Sequence, residues 1–120
     1  MNGARGSAGL APLSIDGALE QAAQAHTQDL LANHAFTHDF IKDGVSYPFG
    51  TWIGWYYSGT CAGENLALGQ PSLSASTAVQ LWLNSPGHRA NLLSSSYTTV
   101  GVELASAGGE TIATTDFGGC

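Results

Sequence analysis

The chain has 120 residues, a net charge of −6 and charged side chains at only 10% of its positions. This length fits one domain, residues 1–120, which can bury roughly 65% of its unfolded surface without several disulfides or a structural metal. Three basic against nine acidic side chains argue against nucleic acid or an anionic membrane as a partner, and make attraction of cations the reasonable counterpart.

The start of the chain carries no recognisable targeting segment. Residues 1–6 lack an apolar core region, and no window of the sequence resembles a signal peptide or a membrane-spanning helix. We therefore expect a mature or excised domain whose Met1 came from expression.

The first periodic pattern predicts a helix that begins after Asp16 and runs to about Asn33. Asp16 can cap this helix, and Glu20 lies in its first turn, where the helix dipole favours a carboxylate. Five residues recur at helical spacing and form its apolar face: Leu19, Ala22, Ala23, His26 and Leu30. Because it belongs to this face, His26 is interpreted as a core imidazole with a local hydrogen-bond partner rather than as a ligand.

Residues 34–60 contain glycines, a proline and clustered aromatic residues that break every period, so we predict mostly loop. Six of the eleven aromatic residues are clustered between residues 47 and 57 of this segment: Tyr47, Phe49, Trp52, Trp55, Tyr56 and Tyr57. An exposed platform for stacking sugar rings is one interpretation. Aromatic residues in a long loop more often fold inward, however, so a packed cluster is the favoured one.

Two short helices are predicted between residues 74 and 93. The first begins at Ser74 and ends before Pro86, with an apolar face formed by Ala75, Ala78, Val79 and Trp82. Ser85 is a good N-cap for the second helix, with Pro86 at its first position and an end near Leu93. His88 then lies in the first turn, where the dipole disfavours a cationic ring, so we expect a neutral imidazole that can bind a metal.

The C-terminal third of the sequence has the character of β-strands. Residues 98–104 and 111–117 are β-branched and apolar, and they predict a hairpin with a longer loop at 105–109. A further strand is predicted around residues 65–68. The predicted fold class is therefore α+β, with helices packed on a small antiparallel sheet.

The two cysteines, Cys61 and Cys120, predict a disulfide, because an even pair in a lysine-poor chain rich in Gly, Ser and Thr is typical of an oxidising compartment. The alternative is two unrelated thiols. A bridge would close a loop of about 60 residues, worth about 4 kcal/mol in the chain-entropy model. It would anchor the last strand beside the Glu64 segment.

Three segments far apart in sequence supply one carboxylate and two imidazoles: Phe36-Thr37-His38, Gly63-Glu64-Asn65-Leu66-Ala67 and Ser85-Pro86-Gly87-His88-Arg89-Ala90-Asn91. Two imidazole nitrogens and a carboxylate are ligands that Zn²⁺ accepts, with a fourth position open to water. His38, His88 and Glu64 are therefore candidate ligands of Zn²⁺ or another divalent cation, and Glu64 can instead accept a proton from metal-bound water. The alternative is structural, with both histidines only hydrogen-bonding Glu64.

Two competing sites are considered and found weaker. His34 and His38, four residues apart with Asp39 adjacent, imitate a zinc-protease motif but lack its glutamate and follow the helix instead of lying within it. Ser85 with His88 as base and Glu64 as orienting acid would form a catalytic triad. We expect the Ser85 hydroxyl to be occupied as a helix cap, which leaves no free nucleophile.

The residues in these segments resemble the bacterial branch of the CAP superfamily, which unites cysteine-rich secretory proteins, antigen-five allergens and plant pathogenesis-related proteins. The resemblance covers nearly the whole chain in the same order. Its motifs are Asn2-x-x-Arg5, Gly9-Leu10-x-Pro12-Leu13, Phe36-Thr37-His38, GENLALG at 63–69, Trp82-Leu83-Asn84-SPGHRANLL, Val100-Gly101-Val102 and Asp116-Phe117-Gly118.

This resemblance implies an α-β-α sandwich, usually secreted, with a central cleft formed by two histidines and two acids. Matched by motif, His38 and His88 take the histidine places, and Glu64 takes the place of one acid. The second acid would fall at Ser85, three residues after Trp82, so the set of four is incomplete here.

Two further residues are expected to support the cleft. Arg89 can bind an anionic ligand or pair with a carboxylate and hold a loop, and both interpretations stay open. We expect the Asn65 side chain to hydrogen-bond the backbone instead of a substrate.

The sequence therefore predicts a secreted or cell-surface CAP domain, monomeric, whose His38/Glu64/His88 cleft is a candidate divalent-metal site. A ligand-binding or interaction module is the favoured function, because it is the role most consistent with an incomplete acid set. The resemblance alone does not choose the activity, since superfamily members are linked to sterol or lipid binding, to protein partners and, in a few cases, to proteolysis. The ligand class is open between lipid, cell-wall material and protein. The alternatives are a metal-dependent hydrolase acting on peptide or cell-wall material, and an extracellular scaffold.

Overall fold

A computed structural model describes all residues from 1 to 120 and shows three layers, with a four-stranded sheet between helices. The helices are α1 (Asn2–Ser7), α2 (Gly17–Asn33), α3 (Phe49–Trp52), α4 (Ala75–Leu83) and α5 (Pro86–Leu92). The strands are β1 (Ser14–Ile15), β2 (Phe40–Lys42), β3 (Val45–Tyr47), β4 (Gly63–Gly69), β5 (Thr99–Ala107) and β6 (Glu110–Gly118). Helix α2 covers one face of the sheet, and α4 and α5 pack on the other, which confirms the predicted α-β-α arrangement.

The main sheet has the strand order β1-β5-β6-β4. Strands β4, β5 and β6 pair antiparallel as predicted, but β1 pairs parallel with β5, so the sheet is mixed. Strand β1 was not predicted, because its two exposed residues carry no periodic signal. A second, two-stranded sheet joins β2 and β3.

The turn between β5 and β6 is tighter than predicted. Strand β5 continues to Ala107, and only Gly108 and Gly109 connect it to β6. Both glycines have positive φ angles, 59° and 77°, which is the backbone that a two-residue hairpin turn needs. The prediction of a longer loop at 105–109 was therefore wrong, because the two glycines alone suffice.

The prediction of mostly loop for residues 34–60 was only partly correct, because about half of these residues belong to short regular elements. Strands β2 and β3 form a hairpin around Asp43 and Gly44, whose φ angles of 52° and 76° suit a two-residue turn. Helix α3 and a 3₁₀ turn at Ile53–Trp55 follow. The expected inward packing is confirmed for Trp52, which is fully buried, whereas Trp55 remains 43% exposed against Phe40 and Tyr47.

Helix α2 forms as predicted. The Leu19 amide donates to Asp16 Oδ1 at 3.0 Å, and the five predicted core positions of α2, including His26, are all buried. Its first turn lies directly on β5, because a Cβ added at Gly101 would overlap the backbone of Leu19 and Glu20. This contact fixes how far α2 lies from the sheet.

The other helical layer is held by an apolar cluster of Ala67, Ala78, Trp82, Leu92 and Ala113. Helix α1, which the sequence analysis did not predict, is joined to this layer by the buried guanidinium of Arg5. Arg5 donates hydrogen bonds to the carbonyls of Ala11, Leu92 and Ser94 at 2.9–3.0 Å. These bonds connect the start of the chain to the end of α5.

The structure contains a disulfide between Cys61 and Cys120, as predicted, with the Cα atoms 5.9 Å apart. It links the residues just before β4 to the residues just after β6, where Gly63 pairs with Phe117. None of the helices combines the length and the apolar composition needed to span a membrane.

Candidate functional site

The candidate site is built on β4, which is an edge strand of the main sheet. Because side chains alternate along a strand, Glu64 faces the α2 layer and Asn65 faces the α5 layer. Their neighbours agree with this assignment, since Leu66 packs with Leu30 of α2 while Ala67 packs with Leu92 of α5. The predicted site residues therefore divide between the two faces of the sheet.

Glu64 lies between two imidazoles. His26 Nδ1 is 2.8 Å from Glu64 Oε2, and His38 Nδ1 is 2.9 Å from Glu64 Oε1. The Glu64 side chain is only 1% exposed and that of His26 is fully buried, whereas that of His38 is 52% exposed. Both carboxylate oxygens of Glu64 are therefore occupied by histidine contacts, and His38 is the one member of the three that is exposed to solvent.

Both ring nitrogens of His26 face hydrogen-bond acceptors. Its Nε2 lies 2.9 Å from the carbonyl oxygen of Asp39, which can only accept a hydrogen bond. Its Nδ1 meets the Glu64 carboxylate, which also accepts. With a proton on each nitrogen the ring is an imidazolium, so Glu64 and His26 form a buried ion pair. Removing either partner would leave the other as an uncompensated buried charge and destabilise the fold.

The ionisation of Glu64 and His38 follows from these contacts. Burial acts to raise the pKa of Glu64, but hydrogen bonds from His26 and His38 outweigh it, and the net pKa is below the ordinary value of 4.5. The hydrogen bond to Glu64 raises the pKa of His38 above 6.5, against an opposing effect of partial burial. The cluster is therefore anionic at Glu64 and favours the cationic form of His38.

Asp116 is a second buried acid next to this cluster. It pairs with Glu64 across β4 and β6, is fully buried, and its carboxyl oxygens have no hydrogen-bond partner apart from Glu64. Burial, followed by the charge of Glu64 and a hydrogen bond with it, raises the pKa of Asp116 well above its ordinary value of 3.8. Asp116 therefore holds its proton over a wider pH range than an exposed aspartate.

We expect Asp116→Asn to stabilise the fold at pH 8 by about 1 to 3 kcal/mol, because asparagine is nearly isosteric with the protonated acid and cannot ionise. When folding raises the pKa of a carboxyl group, that group contributes its full stabilisation to the folded state at pH values below its unfolded pKa. The contribution is lost as the pH rises through the folded pKa. The gain should therefore shrink towards pH 4 in denaturant titrations. Asp43→Asn, an equal charge change in an exposed turn, should show no such trend, and an equal trend in both variants would contradict the assignment.

His88 is not part of the Glu64 cluster. Its ring Nδ1 lies 3.0 Å from Ser85 Oγ, and its carbonyl accepts a hydrogen bond from Asn65 Nδ2 at 2.9 Å. Asn91 donates to Asn65 Oδ1 at 3.1 Å and braces this arrangement. No hydrogen bond joins His88 to Glu64 or His38, so two of the three predicted ligands are hydrogen-bonded to each other and the third is not.

The expected role of the Ser85 hydroxyl was wrong. Ser85 occupies the N-cap position of α5, but its side chain makes no capping bond and meets the His88 ring instead. The triad nevertheless lacks its acid, because the Glu64 carboxylate is bound to His26 and His38.

The predicted metal ligands do not fit a zinc centre in this arrangement. Zinc needs three or four donors around one point, and no group of three or more His, Cys, Asp or Glu side chains is arranged to hold an ion. The competing set fits no better, since His34 is exposed and faces Glu110 at 3.6 Å while His38 faces Glu64. Zinc binding stays a prediction that would require His38 or Glu64 to exchange partners.

Arg89 lies outside the Glu64 cluster as well. It is exposed, forms neither an ion pair nor a hydrogen bond, and lines a groove of about 510 Å³ between α1, α4 and α5. A separate cavity of about 370 Å³, mostly apolar, lies between α4 and the sheet.

Sequence reasoning missed two members of the buried cluster. His26 was assigned to the core correctly, but its partner is the distant Glu64 and not a local group. Asp116 was noted only as part of a motif. A signal for it exists, because it is the one charged residue in the otherwise uncharged stretch 111–118.

The family model for the cysteine-rich secretory proteins, CAP, matches residues 1–117. The chain belongs to the CAP family. Two Bacillus subtilis proteins, both described as uncharacterized, are similar to this CAP domain. YkwD is 36% identical over 107 residues, 89% of this chain, and the membrane protein YlbC is 37% identical over 98 residues, 78% of this chain. The chain spans only 40% and 26% of their respective lengths.

Solved structures of bacterial proteins share the CAP fold seen here. An outer surface protein of Borrelia burgdorferi has a TM-score of 0.83 at 27% identity, covering 98% of this chain and 84% of its own. An extracellular SCP-domain protein of Bacillus anthracis has a TM-score of 0.79 at 30% identity, covering 98% of this chain and 37% of its own. A cysteine-rich secretory protein of Staphylococcus aureus, at 22% identity and a TM-score of 0.68, shows likeness of fold alone over 98% of this chain and 35% of its own.

Proposed function

We propose that this CAP domain is an extracellular module that binds a small amphiphilic ligand, an acyl chain with an anionic head group. An extracellular location is supported by the Cys61–Cys120 disulfide and by relatives described as outer surface or extracellular proteins. The observation that carries the proposal is the open groove between α1, α4 and α5, with Arg89 among its lining residues.

The groove has apolar walls and one positively charged side chain, that of Arg89, which has no acidic partner. Small side chains of α1 line one side, and apolar side chains of α4 and the end of α5 line the other: Gly3, Ala4, Ser7, Ala8, Val79, Leu83 and Leu93. Arg89 forms no ion pair, although the chain carries nine acidic residues against three basic ones. An unpaired guanidinium beside apolar surface suits a carboxylate or phosphate head followed by a hydrocarbon chain.

The metal-dependent hydrolase is less well supported by the geometry. A general base must reach the proton that it removes, and Glu64 is buried with both oxygens bound to histidines. A calorimetric titration with zinc tests the remaining possibility. Heat evolved by the native protein and lost in His38→Ala with His88→Ala would support a metal site.

Binding of dodecanoate, followed by NMR titration of the isotope-labelled protein, tests the amphiphile proposal. We expect shifts at the amides of α1, α4 and α5, and about threefold weaker binding in Arg89→Gln, since Arg89 is exposed and an exposed charge pair contributes up to about 1 kcal/mol. Lys42→Gln is the matched control, because Lys42 lies over the Trp55 ring and does not line the groove. Equal losses in both variants, or shifts confined to other surfaces, would refute the proposal.

A further inference from the structure

One edge of the main sheet is largely uncovered. Strand β5 has β1 as its outer neighbour, but β1 pairs only with Thr99 and Val100. The remainder of this edge, from Val102 to Ala107, has no strand beside it. An edge of this kind presents backbone N–H and C=O groups in the spacing that a further strand would bind.

The backbone groups of this edge are partly satisfied by carboxylates. The Val102 amide donates to Glu20 Oε1, and the Leu104 amide donates to Glu103 Oε1 at 3.1 Å. Both acceptors occupy positions that the carbonyls of an added strand would take. Leu104, Ser106 and Ala107 are themselves exposed, so the edge is open to solvent along its second half.

The apolar cavity lies directly beside this edge. Val102 and Leu104 line it together with Trp82 and Ala113 from the α4 side of the sheet, and its volume is about 370 Å³. Side chains of neighbouring strands stand about 5 Å apart on the same face. Every second side chain of an added strand would therefore extend over this cavity.

The other face of the same edge is acidic. Glu20 and Glu103 both place a carboxylate oxygen on the amides of β5, and the protein carries a net charge of −6. Side chains of an added strand that point away from the cavity would meet these carboxylates. An added strand would take the Leu104 amide away from Glu103 and leave the Glu103 carboxylate without that hydrogen bond. A basic side chain at these positions would supply a new donor to the carboxylate, so basic residues are favoured there.

We propose that the uncovered edge of β5 binds an extended peptide of alternating apolar and basic residues as an additional strand, with its apolar side chains in the cavity beside α4. The occupant is a segment of another protein. Its recognition does not depend on the groove that contains Arg89.

The test uses the whole domain and the peptide acetyl-Lys-Val-Lys-Val-Lys-Val-Lys-amide. We expect NMR titration to shift the amides of Val102, Leu104 and Ser106 and to slow hydrogen exchange at Ser106. A peptide of the same composition in block order, Lys-Lys-Val-Val-Val-Lys-Lys, cannot alternate its faces and should bind at least about tenfold more weakly, a difference of about 1.4 kcal/mol.

Three changes separate strand addition from charge attraction. N-methylation of the peptide amides that face β5 should weaken binding at least about tenfold without any change to the protein. Leu104→Pro, tolerated on an edge strand, should do the same by removing the amide that an added strand would use. Glu103→Gln should weaken binding about threefold, and Asp43→Asn, an equal charge change elsewhere, should not.

Equal affinity of the alternating and block peptides would overturn the proposal. So would unchanged binding after N-methylation, which stays decisive even if Leu104→Pro fails to fold. Failure of the alternating peptide to bind would mean that Glu20 and Glu103 only protect the edge from association, as charged side chains do on many edge strands.

Discussion

Gly101→Ala is expected to destabilise the fold by at least about 3 kcal/mol, near or beyond the upper range for overpacked sites. The added Cβ would overlap backbone atoms of Leu19 and Glu20, which cannot move aside as a flexible side chain can. Helix α2 would have to lift from β5, and the His26 side chain that it carries would be displaced from Glu64. Denaturant unfolding followed by circular dichroism measures the loss.

Gly50→Ala is the matched control for this change. Gly50 lies in a helix, has no heavy atom near its missing Cβ and has no positive φ angle, so alanine there should be neutral or slightly stabilising. If both variants unfold at the same denaturant concentration as the native protein, α2 does not lie against β5 as the structure places it.

Glu64→Gln is expected to destabilise the fold by about 3 to 5 kcal/mol near pH 6, because it leaves the buried His26 imidazolium without a counter-charge. Because glutamine has nearly the same shape as glutamate, the loss of stability measures the removed charge and hydrogen bonds and not a change in packing volume. Thermal or denaturant unfolding of both proteins between pH 3 and pH 9 measures it. Glu110→Gln removes an acid that faces an exposed histidine and should cost less than about 1 kcal/mol.

The pH dependence of this loss has a defined sign. The pKa of Glu64 is lowered on folding, so its contribution is present above about 4.5 and disappears as pH falls through the folded value. The pKa of His38 is raised, so its contribution is complete below 6.5 and disappears as pH rises through the folded value. The difference between native protein and variant should therefore be largest between these limits. A difference that is constant with pH would contradict the assigned ionisation states.

Local patterns in the sequence were enough to predict the helices and strands that have a clear hydrophobic periodicity or a helix-capping residue. Helix α2, the Ser74 cap of α4 and the β5–β6 hairpin follow from spacing and from side chains that bond within three residues. Strand β1 and helix α1 have no such signal, since one is too short and the other is held by the Arg5 contacts with distant carbonyls. The Asp43-Gly44 pair was a readable hairpin signal that the surrounding aromatic residues obscured.

The candidate site was harder to predict because its geometry depends on which face of β4 each residue occupies. The sequence identified Glu64, His38 and His88 as side chains of interest, but the spacing along the chain says nothing about their layers. Only the register of β4 against β6 shows that Glu64 turns towards α2 and that His88 meets β4 through Asn65. The buried partner His26 was concealed by a helical pattern that explains its burial equally well.

Because side chains alternate along β4, the contacts of Glu64 with His26 and His38 can form in only one register of β4 against β6. A shift of one position against β6 would send the Glu64 carboxylate into the apolar layer around Trp82 and put the Asn65 amide between the two imidazoles. Neither side chain would find a suitable partner there. The covalent link from Cys61 to Cys120 joins the two strands at the end nearest Glu64, and therefore restrains the one misalignment that would abolish the ion pair while leaving a sheet intact.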